Sequence, residues 1–315
     1  RESFHHPQMI KAPTRLLLLL LAAVGLCRAG IADDEPAVLT SVAQIRDLSA
    51  DEAAKGLPVH LRATVTFIDY GDGWFKIHDG KEGISVDLNS ARNQGIWEGG
   101  NLPKTENALG AIIDIEGITG PGGYSPVIIP IRFHRVGTGP VPPARRVTMA
   151  QLISGSEVSQ LVEVEGVVWS ARRLYDGKLG MELMVEGQLC QLEFMRNRGI
   201  DPDQYVDASV RVRGFSRPIA NFRSEAVRLR LTVPSKDYLD VLQPPPKDPF
   251  QAPKVALNEL LAFSREPDRY HRKVTQGVVN FVLPGQFFFL QEGTAGVRVE
   301  CTSTNIHVGD VVEVA

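Results

Sequence analysis

The sequence predicts an all-β protein made of tandem five-stranded barrels, and three observations support this fold class. Glycine (29 residues) and proline (21 residues) are abundant in the 315-residue chain, as expected for many short strands joined by turns. A strand–turn–strand motif at residues 74–87 recurs in register at residues 287–300. Proline-rich segments at 137–143 and 243–249 fall between the copies. A repeated small β unit accounts for all three features.

The N-terminal segment has the pattern of a secretory signal peptide, which we predict at residues 1–32. Lys11 and Arg15 form a basic flank, residues 16–27 are apolar or small, and small residues follow at 30–32. A membrane anchor is the alternative, but it needs about 20 apolar residues. Met9 lies just before the basic flank, so residues 1–8 are interpreted as upstream read-through.

The repeats divide the remaining chain into three modules, which we place at residues 38–136, 147–242 and 254–315. In the first, residues 59–67 alternate apolar and polar side chains, as a half-buried strand does. The hairpin follows, then an irregular connection at 89–108 and a fifth strand at 126–136. A five-stranded Greek-key barrel with its helix between strands three and four is the OB pattern. A repeated β-sandwich is the alternative.

The third module is predicted to be truncated, because residues 311–315 end inside a strand-like run. A missing fifth strand would leave a sheet edge unpaired and part of the core open. Six apolar side chains are therefore expected to be less buried than Phe75, Ile77 and Val86 of the first module. They are Phe281, Phe288, Leu290, Val297, Val299 and Val312. The proline-rich linkers favour extended polyproline II, which predicts barrels held apart from one another.

Three segments carry a resemblance to a known family: residues 39–46 (LTSVAQIR), 58–66 (PVHLRATVT) and 75–80 (FKIHDG). They resemble the N-terminal extracytoplasmic repeats of certain bacterial membrane-bound sensor histidine kinases, and the similarity extends over most of residues 38–315. It implies tandem OB-like modules with a sensory or interaction role, located between a signal sequence and a transmembrane helix. The kinase part has no counterpart in these 315 residues.

Charge and residue spacing disfavour several function classes. Without residues 1–32 the chain has 30 basic and 36 acidic residues, a net charge of −6, which repels nucleic-acid phosphates unless a basic patch is segregated. The histidines lack metal-ligand spacing, and no nucleophile, catalytic carboxylate pair or cofactor motif stands out. We therefore predict no enzymatic activity, metal or cofactor for the residues present, although a kinase or other catalytic domain could lie beyond residue 315.

Cys190 and Cys301 lie in different modules, so we expect buried apolar cysteines and not a disulfide framework. A run of arginines between residues 211 and 230 in the middle module has two interpretations. One is a solvated strand face, and the other is a phosphate-binding surface.

The outward face of the hairpin is the one candidate ligand surface. If Phe75 and Ile77 point inward, the strand period turns their neighbours outward, and the same holds around Phe288 and Leu290. Outward aromatic rings can stack on bases or sugars or anchor a protein, and packing against a neighbouring module or linker is the alternative. The candidate ligand-binding residues are Trp74, Lys76, His78, Phe287, Phe289 and Gln291.

These features predict an exported, non-catalytic binding region, periplasmic or at the cell surface, that forms the sensory or interaction part of a membrane-anchored signalling protein. The expected partner is a small molecule, a glycan or a protein, with membrane contact only through a segment after residue 315. A secreted OB protein that binds nucleic acid is one alternative. An accessory domain of an exported hydrolase is the other.

Overall fold

The computed structural model describes residues 36–69, 73–100, 108–174, 177–196, 199–220, 226–260 and 270–315. The predicted signal peptide at residues 1–32 lies outside this set. Residues Val38–Ala315 form one compact unit. In the described ranges, no helix combines the length and apolar character needed to cross a membrane.

The first module is a closed β-barrel. Its strands are β1 (Pro58–Asp69), β2 (Trp74–His78), β3 (Gly83–Asp87), β4 (Gly99–Gly100), β5 (Ala111–Gly120) and β6 (Val127–Thr138), and its helices are α1 (Val42–Arg46), α2 (Ala50–Ala53) and α3 (Leu88–Asn93). Strand β1 pairs with β2 and β5, and β6 pairs with β5 and, in parallel, with β3. This closure, with α3 after the third strand, is the OB-type Greek key.

The second module closes in the same way. Its elements are β7 (Arg145–Arg146), α4 (Met149–Ser154), β8 (Leu161–Arg173), β9 (Leu179–Val185), β10 (Gln188–Phe194), β11 (Ser209–Ala220), β12 (Ala226–Val233) and β13 (Leu239–Gln243). Strand β8 pairs with β9 and β11, while β12 pairs with β11 and, in parallel, with β10. Short 3-10 helices occur at Pro202–Gln204, Lys236–Tyr238 and Pro249–Gln251.

The third module is a four-stranded antiparallel sheet in the described residues. It contains α5 (Leu257–Leu260), β14 (Thr275–Leu283), β15 (Phe287–Glu292), β16 (Ala295–Glu300) and β17 (Val311–Val314). The strand order is β16-β15-β14-β17. We refer to it below as the third sheet.

Strand alternation places the predicted inward residues in the cores. Phe75 and Ile77 are 2% and 0% exposed in the first barrel, and Phe288 and Leu290 are likewise 2% and 0% exposed in the third sheet. The expected loss of burial in the third module is therefore wrong for Phe288 and Leu290. These two side chains pack with buried Leu257 and Val279, so a complete barrel is not needed to cover them.

Toward the sheet edges the expectation agrees with the structure. Val297, Val299 and Val312 are only partly buried, whereas Val86 is 0% exposed in the first barrel. Strands β16 and β17 each have one neighbour among the described strands. Side chains near such an edge pack against fewer neighbours.

A contact repeated in all three modules explains why an acidic residue precedes glycine in each hairpin. The backbone N–H of Val42 in α1 donates to Asp79 Oδ2 at 2.9 Å. The N–H of Met149 donates to Glu186 Oε2 at 3.1 Å, and that of Leu257 to Glu292 Oε2 at 2.6 Å. Each carboxylate thus satisfies a free N–H at the start of a short helix and fastens the helix to the barrel.

This contact also shows how the starts of the first and third modules correspond. Leu257 takes the place of Val42, because each donates its backbone N–H to the hairpin carboxylate and each is 0% exposed.

The linkers do not hold the first two barrels apart, contrary to the sequence prediction. The Arg46 guanidinium donates to the carbonyl oxygens of Val158 and Ser156, both at 2.7 Å. The Gly83 N–H donates to Gln160 Oε1 at 3.1 Å. A polyproline segment restrains only its own backbone, so the barrels can still meet where their surfaces are complementary.

Candidate binding surface

An exposed cluster of three phenylalanines lies on the outer side of the third sheet, and we call it the aromatic face. It consists of Phe281, Phe287 and Phe289. Phe287 and Phe289 lie on this side because Phe288, between them, points into the core. The ring centroids are 5.6–6.0 Å apart in all three pairs. Phe281 and Phe289 are 47% and 40% exposed.

A β-bulge brings Phe281 onto this face. Strict alternation would place Phe281 on the same side as Val279, which is fully buried. The pairing of β14 with β15 shifts register between Val279 and Phe281, so that Phe281 pairs with Phe289. The extra residue, Asn280, reverses the side on which the following side chains emerge. Phe281, expected to be a core residue, is therefore an outward one.

The rim of the aromatic face is polar but carries little net charge. Asn280 Nδ2 donates to Gln291 Oε1 at 2.7 Å, and Gln291 Nε2 donates to the Gly293 carbonyl at 2.9 Å. The Arg298 guanidinium lies over the Phe287 ring, 4.3 Å from its centroid, and 3.4 Å from Glu300. Arg298 was not among the predicted site residues. The alternation of inward and outward side chains along β16 could have identified it, because Arg298 lies opposite Phe289.

The predicted site residues of the first module have different surroundings. The side chains of Lys76 and His78 point away from the barrel core, as alternation predicts. The second barrel nevertheless covers Lys76. Lys76 Nζ donates to Ser85 Oγ at 2.9 Å and to Ser159 Oγ of the second module at 3.3 Å. Packing against a neighbouring module, the alternative left open by the sequence, therefore describes Lys76.

Burial has electrostatic consequences at this contact. Burial and the nearby Arg217 guanidinium lower the pKa of Lys76 to about 7. Burial also lowers the pKa of His78, opposed by the neighbouring Asp79 carboxylate. Trp74, the third predicted residue, is half-buried against Ala91, Val127 and Ile129 of its own barrel.

The same strand position is covered in the first module and open in the third. Phe67 pairs with Lys76 after a bulge, just as Phe281 pairs with Phe289. Phe67 is 7% exposed, and its ring lies 5.1 Å from that of Phe215 in the second barrel. Phe281 has no such covering residue among those described.

Three arginines of the run between residues 211 and 230 are paired with acids. Arg211 Nη2 is 2.8 Å from Glu165 Oε1, Arg213 is 3.0 Å from Asp240, and Arg230 is 2.8 Å from Glu193. Such pairing supports a solvated strand face over a phosphate-binding surface, because the acids neutralise the arginines that phosphates would need.

The described part of the chain contains no group of three or more His, Cys, Asp or Glu side chains placed to hold a metal ion. Of the cysteines, Cys190 is buried and Cys301 half-buried. Burial raises the pKa of the Cys190 thiol to about 12, so it stays protonated and unreactive at neutral pH.

No family model matches this chain, and no curated protein matches it. Solved structures similar to it include an asparaginyl-tRNA synthetase from Entamoeba histolytica (TM-score 0.26, 17% identity), with 34% of this chain and 25% of the synthetase covered. The p202 HIN2 structure has a TM-score of 0.26 and 9% identity, covering 58% and 93% of the two chains. A murine DNA-binding protein bound to double-stranded DNA has a TM-score of 0.27 and 11% identity, covering 59% and 99%.

This chain thus spans only 25% of the length of the synthetase. Scores this low support no conclusion about function. The description of the modules as OB-type barrels rests on their strand pairing.

Proposed function

We propose that this chain is an exported, non-catalytic binding region that recognises a glycan through the aromatic face of the third sheet. The observation that carries this proposal is the cluster of Phe281, Phe287 and Phe289, whose rings lie within 6.0 Å of one another on an open sheet surface. Contiguous exposed apolar patches on soluble proteins often mark interaction sites.

The chemistry around the rings favours a sugar over a charged ligand. Phenylalanine rings offer flat apolar surfaces for the apolar side of a pyranose. The amides of Asn280 and Gln291 supply hydrogen-bond donors and acceptors for hydroxyl groups. The Arg298 guanidinium lies against Phe287 and Glu300, so it leaves little net charge to attract a phosphate.

The experiment is a glycan array probed with the full chain, followed by calorimetric titration of the best glycan. Phe289→Ala should abolish retention because it removes an exposed ring that contacts both other phenylalanines. Trp169→Ala is the matched control, since Trp169 is 59% exposed on the second barrel and is not part of the aromatic face. Retention that survives Phe289→Ala, or no retained glycan at all, would contradict the proposal.

Nucleic-acid binding is the second candidate, and the stacked phenylalanines are the observation that favours it. The net charge of −6 outside residues 1–32 and the paired arginines oppose it. A titration with a single-stranded deoxythymidine 20-mer at low salt separates the two candidates. Tight binding that weakens steeply with added salt would replace the glycan proposal.

Export and membrane anchoring follow from the signal-like segment and the sensor-kinase resemblance. Residues 9–36 fused to a reporter enzyme that is active only outside the cytoplasm should give an active reporter. Replacing Leu18 and Leu20 by Arg should abolish that activity, because charges interrupt the apolar run that export requires. An inactive fusion would contradict export.

A further inference from the structure

A cleft of about 320 Å³ lies between the second barrel and the third sheet. The linker forms one wall with Gln243, Pro244, Pro246 and Gln251, and the start of the third module forms another with His271, Arg272 and Lys273. Asp207 of the second barrel also lines the cleft. Its volume falls at the lower end of the range for small-molecule sites, which often lie at domain junctions.

Asp207 adopts a backbone conformation that the other modules reserve for glycine. Its φ is 76°, in the left-handed region, and the matching residues Gly110 and Gly309 have φ of 78° and 96°. The three residues match because each donates its N–H to a first-strand carbonyl at the bulge: Asp207 to Val168, Gly110 to Val65 and Gly309 to Val279. A side chain in this conformation costs about 1 kcal/mol or more, so a compensating contact is expected.

That contact links Asp207 to the third module. Asp207 Oδ1 lies 2.8 Å from His271 Nδ1 and accepts the backbone N–H of Arg272 at 3.0 Å. The carboxylate is buried and holds the first residues of the cationic wall in place. Among the described residues, no carboxylate lies within ion-pair distance of the Arg272 guanidinium.

We propose that this junction cleft binds a small organic anion, a carboxylate or a phosphate monoester, with its charged group on Arg272. A planar guanidinium donates two parallel hydrogen bonds to either group. Pro244 and Pro246 supply an apolar wall for the body of the ligand, and the amides of Gln243 and Gln251 can bond its hydroxyl or carbonyl groups. A ligand held there touches both modules and therefore stabilises their relative arrangement.

The test is calorimetric titration of the full chain with citrate, glucose 6-phosphate and inorganic phosphate in an anion-poor buffer. Citrate and glucose 6-phosphate distinguish carboxylate from phosphate monoester, and inorganic phosphate tests charge alone. Arg272→Gln should weaken binding of the preferred organic anion by about tenfold or more, as the loss of a charged bidentate contact predicts. Arg62→Gln is the matched control, because it removes the same charge from a 66% exposed side chain on the first barrel.

A second variant tests the role of Asp207 without straining the fold. Asp207→Gly restores the residue that the other two modules have at this position, so the barrel should remain folded by circular dichroism. Binding should still weaken, because Arg272 loses the carboxylate that positions its backbone. The proposal is overturned if neither organic anion binds, if Arg62→Gln weakens binding as much as Arg272→Gln, or if inorganic phosphate binds as tightly as the organic anions.

Discussion

The outer faces of two matching strand pairs, β1–β2 in the first barrel and β14–β15 in the third sheet, share a register but differ in what covers them. Phe67, Lys76 and His78 occupy the positions of Phe281, Phe289 and Gln291. The second barrel packs on the first set, whereas the second set faces solvent in the described structure. The outer face of this hairpin is therefore either an interface between modules or an exposed surface, depending on which module packs next to it.

The covered surface is the more polar of the two, which is the reverse of what burial alone would favour. Lys76 is tolerated there because its ammonium finds Ser85 and Ser159 hydroxyls. The open surface has phenylalanine at the position of Lys76 and arginine, Arg298, at the position of Ser85. An aromatic surface left open where a polar one is covered supports a binding role for the third sheet.

The largest expected difference between the two faces is in the stability of matched alanine variants. Phe67→Ala should lower the free energy of unfolding by about 3 kcal/mol, because it leaves a cavity beside Phe215. Phe281→Ala should lower it by about 1 kcal/mol, because the ring is 47% exposed and loses its contacts with Phe287 and Phe289. Urea unfolding of the full chain, followed by circular dichroism, measures both. Equal losses would mean that the third-sheet face is also covered.

The buried lysine should make the covered face sensitive to pH. Lys76 has a pKa of about 7 when the barrels are in contact and about 10.4 when exposed. Between these values the separated state binds the extra proton, so the contact becomes more stable as pH rises from 7 toward 10, and it does not weaken further below pH 7. We expect a gain of about 2 kcal/mol between pH 7 and pH 9.

Lys76→Met isolates this effect, because methionine fills a similar volume without a titratable group. Urea unfolding at each pH gives the free energy of unfolding of both proteins. The wild type should gain stability relative to Lys76→Met as pH rises from 7 to 9, because only the wild type has the titrating group. A difference that does not vary with pH would show that Lys76 keeps its proton at the contact.

The hairpin carboxylates should behave alike in both modules, since they belong to the repeated unit and not to the covering surface. Asp79→Ala and Glu292→Ala should each cost about 1 kcal/mol, the usual loss when a side chain that accepts a helix N-terminal N–H is removed. Hydrogen exchange of α1 and α5 amides, detected by mass spectrometry, would report the loosened helices. A large effect in only one module would show that this contact is not equivalent in the two copies.

The smallest expected effect is at Ser159, which takes the left-handed conformation (φ 65°) that Gly56 has in the first module. Ser159→Gly relieves backbone strain but removes the hydroxyl that meets Lys76 and Ser85. These effects oppose one another, so the net change should stay within about 1 kcal/mol. A loss well above that, measured by urea unfolding, would show that the hydroxyl contacts of Ser159 outweigh the backbone strain that the substitution relieves.

The sequence by itself determined the hairpins of the first and third modules and the hairpin side chains that point into those two cores. Phe75, Ile77, Phe288 and Leu290 were all identified by a period of two, because alternation is a property of the extended chain and needs no knowledge of distant residues. The acid–glycine pairs of the hairpins were also visible, although their role in capping the helices was not.

Only the tertiary structure decided which outer face is open. The bulge that turns Phe281 outward arises from pairing between strands, and the pattern VNF at residues 279–281 looks like uninterrupted alternation. The burial of Lys76 and the junction cleft beside Asp207 depend on how whole modules pack. Side chains from distant parts of the chain create these surroundings, so no local pattern at Lys76 or Asp207 could predict them.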